Sequence, residues 1–349
     1  MRFAFTEDQV LLQQTVRDFL RAECTPERIR ALWETETARS RDLWRKLADV
    51  GVAGVLVPEE HGGLGLDEID AVTLFEEAGR AALAEPVVAT AAVGAPLLRE
   101  LGGELAARWL PRVASGDAIV AVGPPDERFV EDAHVADLLL LADPGGALHA
   151  LERRGARVVA EPANDPSKRI FTVAFEPSEA SCVAEGERAR ALFAAALDRG
   201  ALACAAELVG VAEQLLELAV GYASQRTQFG RPIGSFQAVK HALADVKVKL
   251  EYARPLVYRA AHSVARGDPR RALHVSMAKA EAGEAAVFAA RRALQVHGAI
   301  GYTWEQDLHL WMRRAWSLDL AWGTRRRHRE RVAAWVLAPG AALGPGTTF

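Results

Sequence analysis

The chain has 349 residues, of which 50% are hydrophobic, with a formal net charge of −4. That length supports two or three packed units with a large core, and the acidic balance excludes a general affinity for nucleic acid. Three scattered cysteines, Cys24, Cys182 and Cys204, lack metal-ligand spacing and fit a reduced, cytoplasmic setting.

The first zone, residues 1–117, reads as helical. It opens without a signal-peptide core. Behind Thr6, with Glu7 and Asp8 in the first turn, Leu11, Leu12, Val16, Phe19 and Leu20 fall at helical spacing. Leu43, Trp44, Leu47 and Val50 continue the pattern until Pro58-Glu59-Glu60-His61-Gly62-Gly63-Leu64-Gly65 breaks it, a Gly/Pro density that predicts a shaped loop. Ile69, Val72, Leu74 and Phe75 resume it.

Residues 118–187 carry shorter apolar runs, Ile119 to Val122, Leu138 to Leu141, Arg157 to Val159 and Ile170 to Phe175, separated by Pro, Gly and Asp clusters. This predicts a small β-domain. Residues 188–338 return to long helices. Phe236, Val239, Leu243, Val246, Leu250, Ala253 and Val257 form the core-facing stripe of a helical bundle, with Pro255 a local kink. A further helix is predicted from about Pro269 to His297, stopped by Gly298. Residues 339–349 form an aperiodic tail, expected to be mobile. Charges interrupt every alanine-rich stretch, so no membrane span is expected. The fold class is therefore mainly α with a small β-domain.

The run Arg226-Thr227-Gln228-Phe229-Gly230-Arg231-Pro232-Ile233-Gly234-Ser235-Phe236-Gln237 places an arginine and glycines between two helices. A guanidinium there can grip a pyrophosphate with parallel hydrogen bonds, aided by helix N-terminal amides. On spacing alone a plain interhelical turn is equally admissible. The run resembles the acyl-CoA dehydrogenase loop Arg-x-x-Phe-Gly-x-x-Ile-x-x-x-Gln. Gln295-Val296-His297-Gly298 with Tyr302 and Glu305, Pro58 to Gly65, and Gly301 through Gly323-Thr324 resemble further motifs of that family, in order and over nearly the whole chain.

The resemblance implies an N-terminal helical domain, a middle β-domain, a C-terminal four-helix bundle, and FAD shared across a subunit interface. It assigns Arg226, Gln228, Phe229 and Gln237 to the pyrophosphate side. Gln295 and Gly298 meet the ADP moiety, and Thr324 lies near the cofactor. It also implies oxidation of an acyl-CoA to the trans-2-enoyl-CoA, with electron-transfer flavoprotein as acceptor.

Two departures matter most. Trp322 stands where the family's end motif carries the Glu that removes the α-proton, and an indole has no basic lone pair. The family's other base position, on an earlier bundle helix, falls on Gly200. Glu207, on that helix but almost two turns further on, is a weak candidate for a relocated base. The segment Ala121 to Asp126 also lacks the family's flavin-contacting Thr and Ser, no Trp-Ile-Thr element follows, and the middle domain looks shortened. Ala299, Arg314 and Arg326 are smaller departures without an evident role.

The run Arg325 to Arg331 reads as a phosphate attractor or, more ordinarily, a solvated helix face. Trp304, Trp311, Trp316 and Trp322 read as packing between bundle and tail. His61 and His297 stand alone, without a metal pattern. Together these features predict the smaller, non-catalytic subunit of an α2β2 acyl-CoA dehydrogenase. The alternatives are a self-sufficient homo-oligomer and a non-redox scaffold.

Overall fold

The computed structural model describes residues 4–125, 127–341 and 343–344; Asp126 and most of the tail expected to be mobile lie outside the described residues. Thr6 caps the first helix, α1 (Glu7–Glu23), with a reciprocal bond pair to Gln9. Helices α2 (Pro26–Trp33), α3 (Arg41–Asp49), α4 (Glu68–Arg80), α5 (Ala95–Leu101) and α6 (Gly103–Ala114) complete the N-terminal unit. A π-helical turn, Val88–Gly94, leads into α5. The Gly/Pro loop between α3 and α4 is shaped as its sequence predicts. A Cβ at Gly63 would lie 2.2 Å from the Val57 carbonyl oxygen, so only glycine lets the loop close.

Two small sheets follow. Strands β1 (Val120–Gly123), β3 (Leu138–Ala142), β4 (Leu148–Glu152) and β7 (Cys182–Ala184) form one, in the order β1-β3-β4-β7. The β1–β3 pair is parallel, with Val120 opposite Leu138, and the rest are antiparallel. Strands β2 (Val130–Glu131), β6 (Ile170–Ala174) and β5 (Arg157–Glu161) form the other, wholly antiparallel. Leu138 to Leu141 are buried on both faces, which explains their unbroken apolar run.

The C-terminal bundle is built from α7 (Gly186–Gln225), α8 (Gln237–Ala265), α9 (Arg271–His297) and α10 (Leu308–Leu320), with α11 (Arg325–Val336) packed on α9. Helix α8 runs through Pro255, and α9 stops at Gly298, whose φ is 65°. Helix α7 is buried continuously from Gly200 to Ala212 because α4 covers the side that the bundle leaves open. The two helices touch backbone to backbone. A Cβ at Gly79 would sit 2.0 Å from the Glu207 carbonyl oxygen, and one at Gly210 would sit 1.8 Å from that of Glu76. Arg254 and Tyr258 of α8 bind the buried Glu76 carboxylate and complete this junction.

Candidate functional site

Helix α10 ends at Leu320, and the chain turns through Ala321 to Thr324 before α11 begins. Trp322 and Gly323 both have positive φ, 52° and 93°, and Thr324 caps α11 by accepting from the Arg327 amide. A tryptophan in the left-handed region needs external support. The Trp322 carbonyl faces His328 Nε2 at 3.0 Å, and His328 Nδ1 lies 3.1 Å from the Ser276 hydroxyl. Burial pushes His328 down to about 4, so the ring is neutral, donates to the carbonyl and accepts from Ser276. The fully buried Lys279 ammonium donates to the Asp319 and Gly323 carbonyls at 3.1 and 3.3 Å. Its pKa is lowered by the same loss of solvent.

So held, the indole packs against α7 at Gly200. A Cβ at Gly200 would lie 2.1 Å from Trp322 Cδ2 and 2.3 Å from Cε3. The two positions singled out in the sequence are therefore one place in space, filled by a single side chain. Trp322 also walls a largely apolar cavity of about 400 Å³ with Trp316, Phe129, Pro124 and Pro162. The cavity's ionisable groups are Glu127, Glu131 and Lys168. Lys168 and Glu131 pair at 2.5 Å; burial opposes the lysine's charge, but the carboxylate outweighs it and the pKa rises. These three groups were not singled out from sequence, because they reach the bundle only through the β1–β2 and β5–β6 segments.

Glu207 does not line this cavity. It faces a separate small void with Glu131, Lys168 and Arg314. Burial raises its pKa, against the pull of Lys168 and Arg314. Arg314, without a role on sequence grounds, is fully enclosed. Its Nε donates to Asp165 at 2.9 Å, Nη2 to Ser167 at 2.5 Å and Nη1 to the Leu83 carbonyl. One guanidinium thus joins the N-terminal unit, the β5–β6 segment and the bundle.

The basic run is spoken for within the chain: Arg325 pairs with Asp319, Arg326 with Glu330, Arg327 with Glu127, Arg329 with Glu284 and Arg331 with Asp198. The four tryptophans do not form one packing layer. Trp311 is buried and donates to the Arg80 carbonyl, Trp316 and Trp322 line the cavity, and Trp304 is exposed beside Arg313.

The remaining candidates gather at the far end of the bundle. Arg226 follows α7, and strands β8 (Thr227–Gln228) and β9 (Arg231–Pro232) form a hairpin with Phe229 and Gly230 at its tip, at φ 52° and 78°. Consecutive positive φ values at a two-residue tip turn the chain most tightly. Phe229 is 92% exposed. Gln237 opens α8, whose first turn has no side-chain cap; Gln295 and Gly298 close α9. The Tyr222 and His297 rings, 4.4 Å apart, hold the ends of α7 and α9 together. Arg226, Gln228, Gln237, Gln295 and Gly298 are all exposed, and Arg226 makes no ion pair among the described residues. From Gly200 to Arg226, α7 rises roughly 39 Å. Thr324 therefore belongs to the Trp322 end, far from the other six. No helix among the described residues is long and apolar enough to cross a membrane, and no described group of three or more His, Cys, Asp or Glu residues could hold a metal ion.

Family models agree with these motifs: the acyl-CoA dehydrogenase N-terminal domain matches residues 6–117 and the C-terminal domain residues 190–337. The chain is 36% identical to the acyl-CoA dehydrogenase IpdE2 of Mycobacterium tuberculosis over 311 residues, covering 88% of this chain and 91% of that protein. The chain belongs to the acyl-CoA dehydrogenase family. Among solved structures, this family member is similar to a chain of the ChsE4-ChsE5 complex from Mycobacterium tuberculosis, with a TM-score of 0.85, 28% identity and coverage of 98% of this chain and 100% of that one. Butyryl-CoA dehydrogenase from Megasphaera elsdenii, at 24% identity and a TM-score of 0.86 over 97% of this chain and all of that one, shares the fold.

The family implies FAD, and the two ends suit it unequally. The exposed end offers a guanidinium, uncapped helix amides and three glutamine amides, the donor chemistry a pyrophosphate takes. The Trp322 end offers an indole instead of a carboxylate. The β1 segment leading into the cavity offers Val122 and Pro124, not hydroxyls.

Proposed function

We propose that this chain is the non-catalytic subunit of an FAD-dependent acyl-CoA dehydrogenase, acting with a second dehydrogenase-like subunit in an α2β2 assembly. The observation that carries the reading is the Trp322 indole seated on Gly200, which occupies both places for a proton-abstracting carboxylate. Arg226, Gln228, Phe229, Gln237, Gln295 and Gly298 would bind the ADP and pyrophosphate part of an FAD whose ring lies in the partner. The structural relative solved as a complex of two named chains supports a heteromer. Bound FAD supplies the two-electron acceptor for an acyl-CoA to trans-2-enoyl-CoA oxidation. This chain's part is to grip phosphates with Arg226, cover the cofactor with Phe229, and withhold a base from its own cavity. The division into units 1–117, 118–187 and 188–338, a cytoplasmic setting and electron-transfer flavoprotein as acceptor belong to the same reading.

The test compares acyl-CoA oxidation, with a dye acceptor, by this chain, by a Glu-bearing partner dehydrogenase and by the pair. Turnover by the pair alone, abolished by Arg226→Ala in this chain, is expected; turnover by this chain alone overturns the reading. One observation favours a second reading. The raised pKa of buried Glu207 suits a base. In that case Glu207→Gln abolishes turnover of the isolated chain while flavin stays bound.

A further inference from the structure

A groove of about 490 Å³ lies between α3, α6 and the β3–β4 sheet and shares no lining residue with the Trp322 cavity. Arg41, Arg108, Arg112, Arg153 and Arg154 line it, against only two carboxylates, Asp137 and Glu152. The local excess of three positive charges contrasts with the chain's net charge of −4. Arg41 is spent on Asp137 and the Val135 carbonyl, and Arg108 on Glu152. Arg112 and Arg154 have no carboxylate partner among the described residues; Arg153 donates from Nη1 to the Ala156 carbonyl at 3.1 Å, while its Nε is buried without a hydrogen-bond partner. Arg108 and Arg112 also lie over the Trp109 ring, at 5.1 and 4.5 Å, which fixes their aim.

Converging like charges repel, and an anion that fills the space between them relieves the repulsion. We propose that this groove binds a small organic polyphosphate through Arg112, Arg153 and Arg154. Guanidinium forks match phosphate oxygens in pairs, and the concave, ligand-sized shape favours a small molecule over a flat partner surface. The groove presents no free aromatic face. Trp109 is buried under its arginines, and the His134 ring is stacked on Phe171 with Nε2 against the Thr37 carbonyl. The site therefore reads phosphates and not a base.

Calorimetric titration of the full chain with inorganic pyrophosphate and with ADP tests this. Saturable binding of both with similar affinity is expected, weakening with salt. Arg112→Ala/Arg154→Ala weakens it about tenfold or more for each guanidinium removed. Arg154→Ala alone, on an exposed turn, carries the same test should the double variant melt early. Every titration uses the chain carrying Arg226→Ala, so that phosphate taken up at the separate cofactor loop does not enter the signal. Absent binding, binding that survives the groove variants, or tighter binding of an acidic peptide of equal charge each overturns the proposal. None of these outcomes depends on the dehydrogenase reading.

Discussion

An alanine at residue 200 has nowhere to go while the Trp322 indole lies on that backbone. Gly200→Ala should cost about 1–3 kcal/mol by overpacking. Trp322→Ala should cost about 3–5 kcal/mol through the void it leaves. In the Trp322→Ala background the alanine at 200 should cost almost nothing. Urea denaturation of the four variants measures the coupling, and additive costs would mean the two residues do not meet. The His328 ring gives a second residue-scale expectation. Its folded pKa, about 4, lies below the ordinary 6.5, so the fold favours the neutral ring. That contribution is complete above pH 6.5 and is lost as pH falls toward 4, by up to about 1.4 kcal/mol per pH unit. His328→Gln should flatten this part of the stability profile; an unchanged slope would exclude the ring as its source. Trp322 and Gly200 stood out in the sequence because the motifs around them set the register. That one ring fills both positions was not legible, since it depends on how the α10–α11 turn folds back on α7.

Between elements, Arg314 does what no local pattern announces. It sits on α10 like any helix arginine, yet its partners are Leu83, Asp165 and Ser167, more than a hundred positions away. Replacing it with leucine leaves Asp165 buried without its cation, a loss of about 3–5 kcal/mol. Arg314→Leu combined with Asp165→Leu should recover much of that; thermal or urea unfolding decides. Helices α1, α3, α4, α8 and α9 and the strands β1, β3, β5 and β6 were legible from apolar period and Gly/Pro breaks. Strand β4, Leu148-His149-Ala150-Leu151-Glu152, was not, because leucine and alanine carry no strand preference of their own. Strands β2 and β7 are too short for a period to show.

Across the whole molecule, α7 separates what one copy keeps from what it offers. At one end Trp322, packed on Gly200, and the Lys168–Glu131 pair line a largely apolar cavity. At the other, Phe229 and its neighbouring polar residues stand in solvent, a cost in exposed apolar surface that a partner's cofactor and chain would offset. On the proposed reading, one dinucleotide meets this end of the chain and the ring-binding end of a partner. Arg226→Ala should accordingly leave the melting temperature of the isolated chain unchanged, yet lower the flavin retained by the assembled pair at least tenfold, in keeping with loss of a charge-assisted contact of roughly 1.5–3 kcal/mol. The family was legible because its loop motifs carry phosphate and turn chemistry in short runs. The charge traffic of Arg325 to Arg331 was not, because every partner but one lies on another element. The measurement that reaches the centre of the account is flavin absorbance per chain, read for this protein alone, for a Glu-bearing dehydrogenase partner alone and for the two co-expressed. The account predicts no stoichiometric flavin on this chain alone and one flavin per pair of unlike chains; a full complement of flavin on this chain alone would contradict it.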